Sequence, residues 1–142
     1  MKASLGTVLL VAGSLVVVGA IVAGVIMVGS PTEGRLERLD AQRVQDLQGI
    51  MQATDSVWAR SQELPGSLEE LADDPRLRVQ IADPGSGEEY GYTIVGEGAY
   101  ELCATFDRES PTRAPRPSSE FWRHGVGRKC FALRVGEGGG GS

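Results

Sequence analysis

The run Tyr90-Gly91-Tyr92-Thr93-Ile94-Val95-Gly96-Glu97-Gly98-Ala99-Tyr100-Glu101-Leu102-Cys103-Ala104-Thr105-Phe106 decides how this chain is read. Its two halves are rich in aromatic and β-branched residues and meet at Gly96-Glu97-Gly98, a pattern that predicts two strands joined as a hairpin. Before it the period is helical. Leu36, Leu39, Val44, Leu47, Ile50, Met51, Val57 and Trp58 recur at three- and four-residue spacings among Asp, Glu, Arg and Gln, predicting an amphipathic helix that runs to about Gln62. Ser30-Pro31-Thr32-Glu33 has the form of its capping box. Leu64-Pro65-Gly66 ends that helix, and Ser67-Leu68-Glu69-Glu70-Leu71 forms a second capping box for a short helix stopping near Asp74-Pro75. Asp83-Pro84-Gly85-Ser86-Gly87 is a turn cluster ahead of the hairpin, Pro111 to Ser119 reads as a loop, and a third strand is expected from Lys129 to Val135. A long helix, a short helix and then antiparallel strands give an α+β domain in which a small sheet covers the apolar face of the long helix.

Working outward, no charged side chain occurs between Lys2 and Glu33. Leu5 to Val28 is almost wholly apolar, and as a helix it extends about 36 Å, enough to cross a bilayer core with some tilt. Residues 1–30 are therefore read as a transmembrane signal anchor, with contact to the membrane through residues 5–28. A cleavable signal peptide is the competing reading, but the stretch outruns the usual apolar core of such peptides and no A-x-A site follows it. Ala20 and Gly24 form a small-xxx-small pair that would let another helix approach. At the other end, residues 136–142 have the composition of a flexible Gly-rich tail or linker. Between them residues 31–135 suffice for one small domain, which excludes a large multidomain enzyme.

The chain carries a formal charge of −5 and a pI near 4.9, which argues against nucleic acid as a partner. That figure hides a segregation: residues 33–107 hold 16 acids and 6 bases, whereas residues 108–134 hold 2 acids and 7 bases. Arg108, Arg113, Arg116, Arg123, Arg128 and Lys129 surround the Pro-rich loop and Phe121-Trp122, a mixture of Arg and aromatics common at recognition surfaces. Contact with an acidic partner or a neighbouring subunit, contact with anionic headgroups, and internal neutralisation of the acidic helices are three readings of this candidate interaction surface.

Cys103 and Cys130 each lie in an apolar strand-like run, so two adjacent strands would bring them into bonding range. A disulfide between them persists only in an oxidising compartment, whereas the other reading is two buried free thiols. The cysteines thus favour an extracytoplasmic domain, although the Arg residues after the anchor, counted alone, slightly favour the cytoplasm. His124 is the only histidine, and no Gly-x-Ser-x-Gly elbow, CxxC or HExxH accompanies it, so neither a catalytic residue nor a metal ligand is assigned. A hydrolase centred on it is the weakest reading. Glu69-Glu70, Asp73-Asp74 and Glu88-Glu89 lack EF-hand spacing, and no cofactor is expected.

Leu64-Pro65-x-Ser67-Leu68-x-x-Leu71, followed by Asp83-Pro84-x-x-Gly87-x-x-Tyr90-x-Tyr92 and a Tyr-led strand, resembles the type II secretion pseudopilins and type IV pilin-like proteins over residues 31–106. The resemblance implies a single-pass protein of the inner or cytoplasmic membrane with a pilin-like domain outside the cytoplasm. It also implies a structural or assembly role through a protein partner or self-association, and not catalysis. The prepilin signature, a Gly followed by Phe-Thr-Leu-Ile-Glu, is absent here, so the domain is expected on an uncleaved anchor. A membrane-anchored sensor of a small ligand or of Ca²⁺ is the alternative.

Overall fold

A computed structural model describes residues 4–28, 31–111 and 120–136. The chain divides into two compact units, 1–35 and 36–142. The first contains α1, Leu5–Val28. Ser4 starts it, its carbonyl accepting from the backbone N–H of Thr7 at 2.9 Å. Every described side chain from Leu5 to Met27 is exposed, and the sequence makes the helix apolar all round. By length and composition it is able to cross a membrane.

The second unit, which takes in α2 from Leu36 onward, is a mixed α+β arrangement. α2, Pro31–Ser61, ends where Gln62 takes φ of 56°, with the Gln62 N–H bonded to the carbonyl of Trp58 at 2.8 Å. The left-handed residue closing this helix is thus a glutamine where glycine is the usual choice. α3, Leu68–Asp73, is capped by Ser67, whose side chain accepts from Glu70 N. The expected reciprocal bond is displaced by one residue, since the Glu70 carboxylate accepts from Gly66 N at 2.7 Å. Leu68 and Leu71 are fully buried.

Three strands follow: β1 Gly91–Gly96, β2 Ala99–Phe106 and β3 Gly127–Arg134. They form an antiparallel meander in the order β1-β2-β3. The hairpin turns through Glu97-Gly98, and β3 begins two residues earlier than its apolar pattern suggests. Gly98 has φ of 65°, and a Cβ there would meet Val135 Cγ2 at 2.8 Å with Trp58 just behind, so the turn requires glycine. Along β2 the even residues Tyr100, Leu102, Ala104 and Phe106 face the core, the period-2 alternation of a sheet with one buried side. They meet Leu47, Ile50 and Ala53 of α2, Leu68 and Leu71 of α3, and Phe131 and Leu133 of β3 in one cluster, so the sheet covers the long helix as its periodicity implies.

Candidate functional site

The N-terminal half of α2's buried face is ionic. Asp40 and Arg43 lie three residues apart, on one side of the helix, and both are buried. Arg43 donates through Nε to Asp83 Oδ2 at 2.5 Å, and through Nη1 to Asp40 Oδ1 at 2.6 Å and Asp107 Oδ2 at 2.7 Å. Asp40 also accepts from the backbone N–H of Asp107 at 3.0 Å and of Arg108 at 2.8 Å, fixing the chain as it leaves β2. Asp83 Oδ1 accepts from the N–H groups of Gly85 and Ser86, so the Asp-Pro turn is built around the same carboxylate that takes the guanidinium. Burial works against charge on both groups. The hydrogen bonds outweigh it, holding Arg43 above its ordinary pKa and Asp83 below the usual carboxylate value.

One turn further along α2, Tyr90 Oη donates to Asp46 Oδ2 at 2.8 Å. Burial, and then this bond, raises the Tyr90 pKa, and burial raises that of Asp46 against the bond. Tyr92 Oη donates to the carbonyl of Pro65 at 2.9 Å, and its pKa is pushed up to about 12 by burial and by the charge of Glu70. Asp83, Tyr90, Tyr92 and Pro65, which carry the sequence resemblance, are therefore the residues that fasten the hairpin and its preceding turn to the helices. A cleft of about 350 Å³ opens between that turn and the strand ends, lined by Asp83, Glu88, Glu89, Asp107, Arg43 and Arg128 among others.

Cys103 and Cys130 are directly opposed on β2 and β3, their Cα atoms 4.0 Å apart and their sulfurs at bonding distance. The pair lies on the side of the sheet away from the core, under Gly91. A Cβ at Gly91 would come within 2.9 Å of Cys103 Cβ and 3.1 Å of Arg128 Nη2, so only glycine leaves room beside the disulfide.

The Arg and aromatic region separates into two populations. Trp122 is only 4% exposed and packs on Phe131 with ring centroids 4.9 Å apart. Phe121 is half-buried against both rings. The aromatics read from sequence as recognition residues are core and core rim, because both rings pack on Phe131 of β3. Arg123, Arg128 and Lys129 are exposed and Arg108 is half-buried. Arg113 and Arg116, like Ser30 and the tail from residue 137, lie outside the described residues. The basic side chains thus remain as candidates for contact, without their aromatic companions.

His124 is 8% exposed and stacks on Phe106, centroids 3.6 Å apart at 13°. Its Nδ1 lies 3.1 Å from the carbonyl of Arg108, an acceptor only, so Nδ1 carries the proton. Ser110 Oγ accepts from the backbone N–H of His124 and Ser110 N–H donates to the His124 carbonyl, joining the two described segments there. The imidazole is used in packing against Phe106 and Arg108. Among the described residues no three His, Cys, Asp or Glu side chains converge as a cation site would require. The Arg43 cluster, with separations of 40 and 64 residues between its members, has no periodic signature; the Asp40-x-x-Arg43 spacing and the Asp-Pro turn are its only local signals. No protein family, curated protein or solved structure matches the chain.

Proposed function

We propose that this is a single-pass envelope protein, held in the inner or cytoplasmic membrane through residues 5–28. It presents a pilin-like α+β domain outside the cytoplasm and works by assembly or protein contact and not by catalysis. One observation carries the reading: a charge-free apolar helix long enough to cross a membrane precedes a domain whose only two cysteines are directly opposed and joined. A helix apolar on every side is at rest in lipid, and a disulfide persists where thiols are not kept reduced. The pilin-like part is supported by the order of helices and meander and by the use of Asp83, Tyr90, Tyr92 and Pro65 as fasteners. Alkaline carbonate extraction and protease digestion of intact spheroplasts test it. The chain should stay with the membrane and lose its domain to protease from outside; release by carbonate, or a domain cleaved only after lysis, would sink it.

The cleft beside Asp83 favours a second reading, a sensor of a small ligand, since about 300 Å³ is the lower bound for pockets that hold small molecules. Thermal shift against anionic metabolites separates the two, because an assembly domain should show no change.

A further inference from the structure

β3 sets Arg128 and Cys130 two residues apart, on the side of the sheet away from the core, with Cys130 directly opposite Cys103 of β2. The two cysteines differ in access. Cys130 is exposed, whereas Cys103 is only 7% exposed and lines the cleft beside the Asp83 turn. A thiol arriving from solvent therefore meets Cys130 first. In thiol–disulfide exchange one sulfur accepts the incoming thiolate and the other departs as a thiolate, so the surroundings of Cys103 govern how readily the bond opens.

Arg128 supplies a cation at that place. Gly91 has no side chain, and the guanidinium occupies the room this leaves: Nη2 lies 3.1 Å, and Cys103 Cβ 2.9 Å, from where a Cβ on Gly91 would stand. The two are thus no more than about 6 Å apart, close enough for a cation to favour a thiolate. Among the described residues Arg128 forms no ion pair, so no carboxylate neutralises it directly. The other charges lining the cleft are Arg43, Asp83, Asp107, Glu88 and Glu89. Arg43 is held by Asp83 and Asp107, and no glutamate atom comes as near as Arg128 Nη2 to the position beside Cys103. Glu101, two residues along β2 on the same side, is the acid that opposes it. The ladder between β2 and β3 keeps Cys103 opposite Cys130 whether or not the sulfurs are joined.

We propose that Cys103 and Cys130 form a reversible exchange site for a small thiol, opened at Cys130 and with Cys103 as the leaving group beside Arg128. The incoming thiolate contributes the electron pair of a new S–S bond to Cys130 Sγ. The Cys103–Cys130 bond breaks and its pair departs on Cys103 Sγ, so neither an oxidant nor a reductant beyond the thiol itself is consumed. Return attack by Cys103 on Cys130 expels the thiol and restores the original bond, and the ladder makes that step intramolecular. Arg128 is a positioning residue in this scheme, acting through the charge on Cys103. The inference needs the disulfide, and neither the anchor nor the pilin-like reading.

The test uses the full chain in neutral detergent micelles, weighed intact beforehand, with glutathione and, in parallel, cysteamine as the thiol. Excess N-ethylmaleimide added at intervals traps free cysteines, and the peptides are mapped by mass spectrometry. The expected early product carries the thiol on Cys130 and the maleimide on Cys103, exceeding the reverse arrangement by about tenfold. Arg128→Gln should slow opening by about threefold with both thiols, and Arg128→Lys should restore most of the rate, because a charge is what the site requires. Removing the thiol before trapping should return the chain to its starting mass. Adducts shared evenly between the cysteines or favouring Cys103, Arg128→Gln opening as fast as the parent, or an Arg128→Lys rate no better than that of Arg128→Gln would overturn the inference. So would slowing confined to glutathione, which would make Arg128 a site for the thiol's own carboxylates. A mixed disulfide that persists after the thiol is removed, or two free thiols at the outset, would overturn it as well.

Discussion

β2 is held by two fasteners of opposite kind. At its exit, Asp107 joins the buried cluster around Arg43, which ties α2, the Asp83 turn and the end of the strand together across 40 and 64 residues of sequence. At its middle, Cys103 is joined to Cys130 on a strand that the ladder already pairs with it. The first fastener sets where elements lie relative to one another and depends on ionisation. The second lies on the opposite side of the sheet, secures a pairing that exists without it, and depends on redox state. The ionic fastener therefore joins elements distant in sequence, and the covalent one secures neighbouring strands.

The largest expected effect comes from removing the guanidinium. Arg43→Met leaves Asp40, Asp83 and Asp107 close together without a counter-charge, and should lower unfolding stability by about 3–5 kcal/mol in urea titration. Arg43→Lys should recover only part of the loss, since an ammonium lacks the fork that reaches three carboxylates. Reduction, or Cys103→Ser with Cys130→Ser, should cost roughly 3–4 kcal/mol by the loop-closure argument while leaving the core cluster in place. A loss much larger than that would mean the ladder depends on the bond.

The two fasteners should separate in acid. The Asp83 pKa is lowered by folding from its ordinary 3.8, so its contribution is present above that value and disappears as pH falls through the lower folded value. Asp83→Asn should therefore flatten the acid limb of the stability curve. Loss of the disulfide should displace the curve downward at every pH and leave its shape. Gly98→Ala places a Cβ at positive φ against Val135 and should cost about 1–2 kcal/mol. The smallest effect runs the other way: Gln62→Gly relieves the left-handed residue that closes α2 and should add about 0.5–1 kcal/mol, less the bond from Gln62 Nε2 to the Trp58 carbonyl.

What the sequence revealed follows from what local pattern records. The alternation of Tyr100, Leu102, Ala104 and Phe106 and the three-four spacing around Leu47 and Ile50 are periodic signals, and both elements lie where those periods put them. The start of β3 at Gly127 was hidden because Gly127 and Arg128 lie on an edge strand, where nothing selects for apolar residues. The Arg43 cluster was illegible, since three aspartates spread over 67 residues share no spacing. Trp122 was read as a recognition residue from the Arg residues around it, while its burial is decided by Phe131, nine residues on.

The central claim, a disulfide-bearing domain presented outside the cytoplasm by an uncharged helix, meets its most direct test in the thiol state of the native protein. Membranes are quenched with acid and alkylated before any reductant is added, and the intact chain is weighed before and after reduction. The account predicts that neither Cys103 nor Cys130 takes up label until the protein is reduced. Labelling of both cysteines without reductant, in protein taken from its own membrane, would contradict it.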